Sequence, residues 1–464
     1  MSPPLLQNRF AELADALQAL ARAEEFACAW LQAEDSHFIR INQGRIRQAG
    51  SVRKEQASVR LIRGARQASL TLTLTSDEGC SLHAQMDEAL QTLRAILEDS
   101  EDDPLLDVCR DPVVSQDVAG RSVHPEDLDA LIKVLASGAE DTVDPAHDGE
   151  GELVGFIAAG RLGRGFCSSA GSAQWFERAS IAVDGSIHLP VDPHTGDRRA
   201  VKFGWSGEQA DADALADAVM RARREAAVLL RPARRLAPAD YRALLRPRAL
   251  ADLLGMLDWG GYSARAHRSG QSPLARLRSG QASFSPLLNL REDLDAGFAP
   301  AFQADGYPRT RQIDLIRQGR FADWLVSPAT AREFGLSSNA ANAQETPESV
   351  VVGCGTLADN DALARLGTGV LLSNLWYLNY SDRDACRVTG MTRFACLWVE
   401  QGEPVAPIAA MRFDDSLFRA LGPEGLEALG SRAERMPQLD TWEGRATGGI
   451  LAPCALVSAL RFTL

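Results

Sequence analysis

Asp382, Asp384, Cys386 and Thr389 fall within eight positions of one another, inside the run NYSDRDACRVTGMTRFACLWVEQGEPVAP (379–407). Two carboxylates, a thiol and a hydroxyl so close together would suit acid–base or nucleophilic chemistry, and Arg383 and Arg387 beside Cys386 would favour its thiolate. The run also reads as strands. FACLWVEQGEPVAP alternates around Gln401-Gly402, where glycine supplies the positive φ of a tight hairpin, and TGMTR forms the strand approach, with Thr389 and Thr392 flanking a turn-prone Gly390. On that reading Cys386 is an inward-facing strand cysteine. The sequence favours it, because neither a Gly-x-Ser-x-Gly elbow nor a local cysteine signature is present.

Other chemistries find little support. A helical metal site needs ligands that share one face, as in His-Glu-x-x-His. The seven histidines include no pair at three-, four- or five-residue spacing, and Pro190 and Pro193 bend the segment between His188 and His194. GRLGRGFCSSAG (160–171) is glycine-rich but lacks Gly-Lys-Ser/Thr, so it reads as a strand connection rather than a phosphate cradle. Asp414 and Asp415 look like paired carboxylates. They precede SLFRAL, where capping of a helix that closes at Gly422 is the simpler role.

The elements that must position these residues follow from periodicity. Residues 8–31 carry Phe10, Leu13, Leu17 and Leu20 at helical spacing, two strand stretches follow (FIRINQGRIRQ and SVRLIRGARQASLTLTLTS), and Met86, Leu90, Leu93 and Leu97 mark a helix over 83–98. This predicts an α-β-β-β-α order. Acidic residues dominate 98–152, with a short helix, PEDLDALIKVL, and a flexible surface connection, AEDTVDPAHDGEGE. Strands resume to about 188, and Leu215, Val219, Ala222, Ala226 and Leu229 define a helix over 211–229. After DYRALL, Pro247 opens a helix that stops at Gly260-Gly261, and strands dominate from there. Hairpin turns are predicted at Gly44, Gly185, Gly319 and Gly402.

A chain of 464 residues exceeds one core. The expectation is an α+β protein: an N-terminal α/β domain (1–237) with an antiparallel sheet and an acidic linker at about 98–152, then a β-rich C-terminal domain (238–464). The net charge of −13 and the absence of a basic patch argue against nucleic acid, since RARREAAVLLRPARR interleaves its charge with an apolar stripe. No run of 18 apolar residues or secretory signal occurs, and the eight cysteines are scattered, so a soluble, cytoplasmic chain with reduced thiols, not associated with membranes, is expected.

DGYPRTRQIDLIRQGRFADWLVSPATAREFGLSSNA (305–340), LGTGVLLSNLWYLNY (366–380) and TGMTRFACLWVEQGEPVAPIAAMRFDDSLFRAL (389–421) resemble the TldD/PmbA family, once described as modulators of DNA gyrase and understood as parts of a metallopeptidase. The first half matches more loosely, through ASVRLIRGARQASLTLT and the passage from RREAAVLLRPARR into ALADLL. In the family, TldD-type subunits carry a His-Glu-x-x-x-His helix completed by a distal cysteine, and PmbA (TldE) partners lack it. The equivalent stretch here, ALADLLGMLDWGGYSARAH, lacks the motif. Asp252, Asp258 and His267 are the nearby candidate ligands, and Cys454 lies outside the glycine-rich surroundings expected of the family cysteine.

The resemblance therefore implies a TldE-like, non-catalytic subunit with no cofactor of its own, and zinc in a TldD-like catalytic partner. It implies a C-terminal domain built on a strongly curved antiparallel sheet, association with that partner as a heterodimer or with a second copy as a homodimer, and an unfolded peptide held extended against a strand edge. A stand-alone homodimeric peptide-binding protein and a hydrolase with an unrecognised site are the alternatives. The peptide groove or interface is expected around Trp376, Tyr377, Tyr380, Arg383, Thr389 and Arg393, because three aromatics within five residues stand out in a chain with 6% aromatics.

Overall fold

The structure is a computed structural model that describes residues 5–74, 81–121, 123–140, 152–191, 196, 198–441 and 444–463. The N-terminal half folds in the predicted order. Helix α1 (Leu5–Leu20) leads into β1 (Phe26–Asn42), β2 (Arg45–Arg63) and β3 (Arg66–Thr73), and α2 (Leu82–Glu98) follows. Then come β4 (Val114–Ala119), α3 (Pro125–Glu140), β5 (Glu152–Ser168), β6 (Ala173–His188), β7 (Ala200–Gly207) and α4 (Ala212–Leu229). The seven strands form one sheet, ordered β3-β2-β1-β5-β6-β4, in which β7 shares the outer edge of β6 with β4.

Both sheet faces are covered. Leu13 and Leu17 of α1 and Met86, Leu90 and Leu93 of α2 bury against Val59 and Leu61 of β2. Leu135 of α3 and Leu215 and Val219 of α4 bury against Ile157, Ile181 and Val201, in a core that continues into Leu371, Leu397 and Leu456 of the C-terminal half. The apolar stripes of these helices were legible because each helix has one wet face.

The C-terminal half starts with β8 (Ala239–Leu245) and α5 (Pro247–Gly255), whose Pro occupies the first turn. The remaining strands are β9 (Leu290–Asp293), β10 (Gln312–Arg317), β11 (Arg320–Phe321), β12 (Ser349–Val352), β13 (Gly369–Leu372), β14 (Asn374–Asp382) and β15 (Arg387–Arg393). They continue with β16 (Leu397–Glu400), β17 (Glu403–Pro407), β18 (Arg412–Ser416), β19 (Leu426–Leu429), β20 (Glu434–Pro437), β21 (Gly449–Ala452) and β22 (Ala455–Phe462). Six of them form a sheet ordered β11-β10-β9-β12-β21-β20, and nine form a second, ordered β14-β15-β18-β22-β8-β13-β16-β17 with β19 on β22. The α+β class holds, but in place of one strongly curved antiparallel sheet there are two open ones. The pairs β12/β21 and β8/β13 are parallel.

Four expectations fail for identifiable reasons. The helix expected over 8–31 ends at Leu20, because Phe26–Leu31 is the start of β1. Both faces of that segment are buried, Ala27, Ala29 and Leu31 in one core cluster and Phe26 and Cys28 in another, so the period-2 alternation that would have marked it is missing. Gly185 makes no turn: it sits within β6 opposite Phe203, whose ring would meet an added Cβ at 2.1 Å. Gly390 likewise lies inside β15, closed in by Leu378 and Phe413. The acidic stretch contains a strand, β4, besides its helix, while most of the expected connection at its end lies outside the described residues. Gly44, Gly319 and Gly402 do close hairpins, each after a glutamine that also adopts positive φ, as a type I′ turn demands.

Candidate functional site

Among the described residues β7 and β20 each pair on one side only, β7 with β6 and β20 with β21. Their outer edges approach each other, and the Ser206 hydroxyl donates to the Arg435 carbonyl at 2.9 Å. Around this meeting, α4, the start of α5, the start of β14 and Arg393-Phe394 enclose a cleft of about 580 Å³. Trp205, Phe203, Trp376 and Phe394 give it apolar surface.

Its charges are mixed and largely paired. Lys202 meets Asp184, Arg246 meets Glu225 at 2.5 Å, and Arg248 meets Asp252 at 2.9 Å. Burial raises the pKa of Glu434 and lowers that of Arg435, whose guanidinium donates to the Ala296 carbonyl and stacks 3.8 Å over Phe298. Arg393 pairs with no carboxylate among the described residues. Its guanidinium lies 3.6 Å from the Trp376 ring centroid and 4.9 Å from that of Phe394. Strand edges with aromatic walls and paired charges favour an extended, largely uncharged chain over a highly charged ligand.

The structure divides the six residues expected to line a groove. Trp376 and Arg393 line the cleft. Tyr377 lies beside Trp376, with ring centroids 4.2 Å apart, at a bulge where it takes φ +52° and is 69% exposed. Tyr380 and Arg383 point elsewhere: the Tyr380 hydroxyl donates to the Met256 carbonyl at 2.5 Å, and Arg383 donates to the carbonyls of Gln271 and Trp259. The two side chains staple the β14–β15 hairpin to the segment after α5, and burial pushes the Tyr380 hydroxyl pKa up. Thr389 donates to the Phe413 carbonyl and accepts from Arg412.

The catalytic reading of this region does not gain a constellation. Cys386 sits in the β14–β15 turn at φ +46° rather than in a strand, fully buried, and burial pushes its thiol up to about 12 despite Arg383. Asp382 accepts from the Ala385 amide, which shapes the turn. Asp414 and Asp415 belong to β18, and Ser416 takes the cap position, so the capping role fails. Asp415, buried, accepts instead from Arg419 and from the Arg461 amide at 3.0 Å, and Asp414 accepts from Ser381. Gly160, Gly163 and Gly165 of the glycine-rich run lie within β5, where they let Asp35, Trp175 and Phe10 approach.

The candidate ligands are occupied separately. Asp252 accepts from Arg248 and from the Leu375 amide at 3.1 Å, fixing the start of β14 beside the cleft. Asp258 is held well above the usual carboxylate range by burial. His267 shares its Nε2 with the Gly261 carbonyl and the Ser272 hydroxyl, and burial lowers its pKa to about 4. Cys454 is buried against Gly430, its thiol raised to about 11. Among the described residues no three His, Cys, Asp or Glu side chains form a group able to hold a metal ion. Nor is any described helix long and apolar enough to cross a membrane.

Much of the cleft escaped the sequence reading. Lys202, Arg246 and Glu434 come from three separate elements, and no local spacing links them. The usable signal was the edge position of β20, which pairing alone reveals.

Residues 238–464 match the profile of the PmbA/TldA metallopeptidase C-terminal domain. TldE from Thermococcus kodakarensis is similar in structure over 99% of this chain and 100% of its own, with 15% identity and a TM-score of 0.73. A candidate modulator of a DNA gyrase from Thermotoga maritima covers 98% of this chain and 100% of its own at 15% identity and TM-score 0.71. A candidate modulator of DNA gyrase from Bacteroides thetaiotaomicron covers 99% of each at 13% identity and TM-score 0.74. No protein of curated function matches.

Proposed function

We propose that this chain, which belongs to the TldD/PmbA family through residues 238–464, is a TldE-like, non-catalytic subunit that positions unfolded peptides for a zinc-bearing TldD-like partner in the cytoplasm. The observation that carries this reading is the cleft at the free edge of β20, beside the edge of β7 and walled by Trp205, Trp376 and Phe394. A peptide added there as a further strand would be held through N–H and C=O groups common to every sequence, so unfolded chains of many sequences would be accepted. Trp376 and Arg393 would grip a side chain or carbonyl without demanding a particular residue. The exposed Tyr377 next to them offers aromatic surface of the kind that partners bury.

The stretch that the resemblance sets against the family's catalytic helix supports the non-catalytic assignment through its chemistry. Asp252 anchors the Leu375 amide and His267 is held neutral in a core pocket beside Phe321 and Trp324, so both serve the fold. Backbone pairing makes a specific demand on the ligand. Methylating alternate backbone nitrogens of an unstructured peptide should abolish binding to the chain, whereas scrambling its sequence should change affinity only a few-fold. Tight binding of every methylated peptide would exclude strand addition.

A further inference from the structure

Asp440, just after β20, lines both the cleft and a second cavity of about 290 Å³. This cavity lies between the N-terminal sheet and Gly444–Ala446, and two guanidinium groups face it. Arg164, from β5, is only 7% exposed, yet its bonds go to backbone carbonyls: Nη1 donates to Gly163 at 2.8 Å and Nη2 to Arg445 at 3.4 Å. Arg445 donates from Nη1 to the Ser36 hydroxyl at 3.2 Å and from Nη2 to the Ser180 hydroxyl at 2.6 Å. Neither guanidinium has a carboxylate within ion-pair distance among the described residues.

Buried arginines are ordinarily paired, because an uncompensated charge in a dry site is costly. The carboxylates of Glu34 and Asp440 and the ammonium of Lys54 line the cavity as well. The Glu34 Oε2 accepts from the Arg445 amide at 2.9 Å, and its Oε1, buried, has no hydrogen-bond partner. Among the described lining residues three cationic side chains, Lys54, Arg164 and Arg445, stand against the carboxylates of Glu34 and Asp440, and Glu348 also acts on Arg164. Burial lowers both arginines to about 10, so both stay protonated at neutral pH.

We propose that this cavity takes the C-terminal carboxylate of the peptide that occupies the cleft, seated against Arg164 and Arg445. The free N–H groups of the two planar guanidinium forks suit a carboxylate. The cavity would fix where the peptide ends, and so which of its bonds is presented to a partner. The assignment rests on the cleft being a peptide site, and the experiment separates the two.

A short unstructured peptide without Asp or Glu is titrated onto the full chain as its C-terminal acid and as its C-terminal amide. The acid should bind about tenfold more tightly, as expected for a charge-assisted pair. Arg445→Gln should bring the acid down to the affinity of the amide. Thermal shifts with N-acetyl-dialanine acid, its amide and inorganic phosphate read the cavity independently of the cleft, and the acid alone should raise the midpoint. If neither peptide binds but N-acetyl-dialanine acid still stabilises the chain, the anion pocket stands and the cleft reading falls. Equal affinity for acid and amide with no stabilisation by the small acid overturns the proposal, as does stabilisation by phosphate alone. The acid–amide comparison on the unaltered chain decides the matter even where Arg445→Gln does not fold.

Discussion

Arg393→Ala and Tyr380→Phe separate binding from scaffolding within one hairpin. The Arg393 side chain reaches the cleft and interacts with Trp376 and Phe394 through their ring faces alone. Losing those contacts costs about 0.5–1 kcal/mol in a wet site. A charge-assisted hydrogen bond from its guanidinium to a peptide contributes about 1.5–3 kcal/mol, so Arg393→Ala should weaken peptide binding by roughly tenfold to a hundredfold. Its thermal midpoint should fall by less than about 3 °C. Tyr380→Phe should do the reverse. It removes the donor to the Met256 carbonyl, lies outside the cleft, and should lower stability by about 1–3 kcal/mol with peptide affinity unchanged. Fluorescence anisotropy with a labelled unfolded peptide, beside urea unfolding of each variant, measures both effects. Unchanged binding by Arg393→Ala, or weakened binding by a fully stable Tyr380→Phe, would refute the division.

Further expectations concern the fold around the site. Asp415→Ala leaves the Arg461 amide without its buried acceptor, while Arg419, half-exposed, keeps Asp240, and should cost about 1–3 kcal/mol in urea unfolding. His267 is neutral in the fold, with a pKa near 4 against an ordinary 6.5, so the unfolded chain binds the extra proton between those values. Its contribution is therefore complete above pH 6.5 and lost as pH falls toward 4, at up to about 1.4 kcal/mol per pH unit, and His267→Phe should flatten that slope of unfolding free energy against pH. Gly185→Val would drive a side chain into the Phe203 ring and should destabilise by at least about 1–3 kcal/mol, whereas a turn glycine in open space would not show that steric penalty.

How much of this was legible in the sequence depended on whether an element keeps a wet face. The stripes of α1, α2 and α4 did, and Leu13, Met86 and Leu215 are all buried as their spacing required. Phe26–Leu31 did not, because both its faces are buried. Glycine was ambiguous in the same way. Gln-Gly at 43–44, 318–319 and 401–402 bends the chain, yet Gly185 and Gly390 serve aromatic neighbours distant in sequence. The carboxylates were misread because local context suggested a cap for Asp414 and Asp415, while Asp415 in fact binds the Arg461 amide of β22, 46 positions away. The aromatics of the hairpin at 374–393, all expected at one groove or interface, part company. Trp376 opens onto the cleft, and Tyr380 turns back onto Met256 because the bulge after Trp376 changes which side chains face out.

The central claim is that this chain supplies peptide binding and a partner supplies the metal. Peptide cleavage and metal content should be measured together for the chain alone, for a TldD-like protein bearing His-Glu-x-x-x-His alone, and for their mixture. The account predicts less than one equivalent of zinc on this chain after dialysis, no cleavage of unfolded peptide by it, and cleavage in the mixture that falls when Arg393→Ala replaces the unaltered chain. Stoichiometric zinc retained by this chain, with cleavage of unfolded peptide in the absence of any partner, would contradict it.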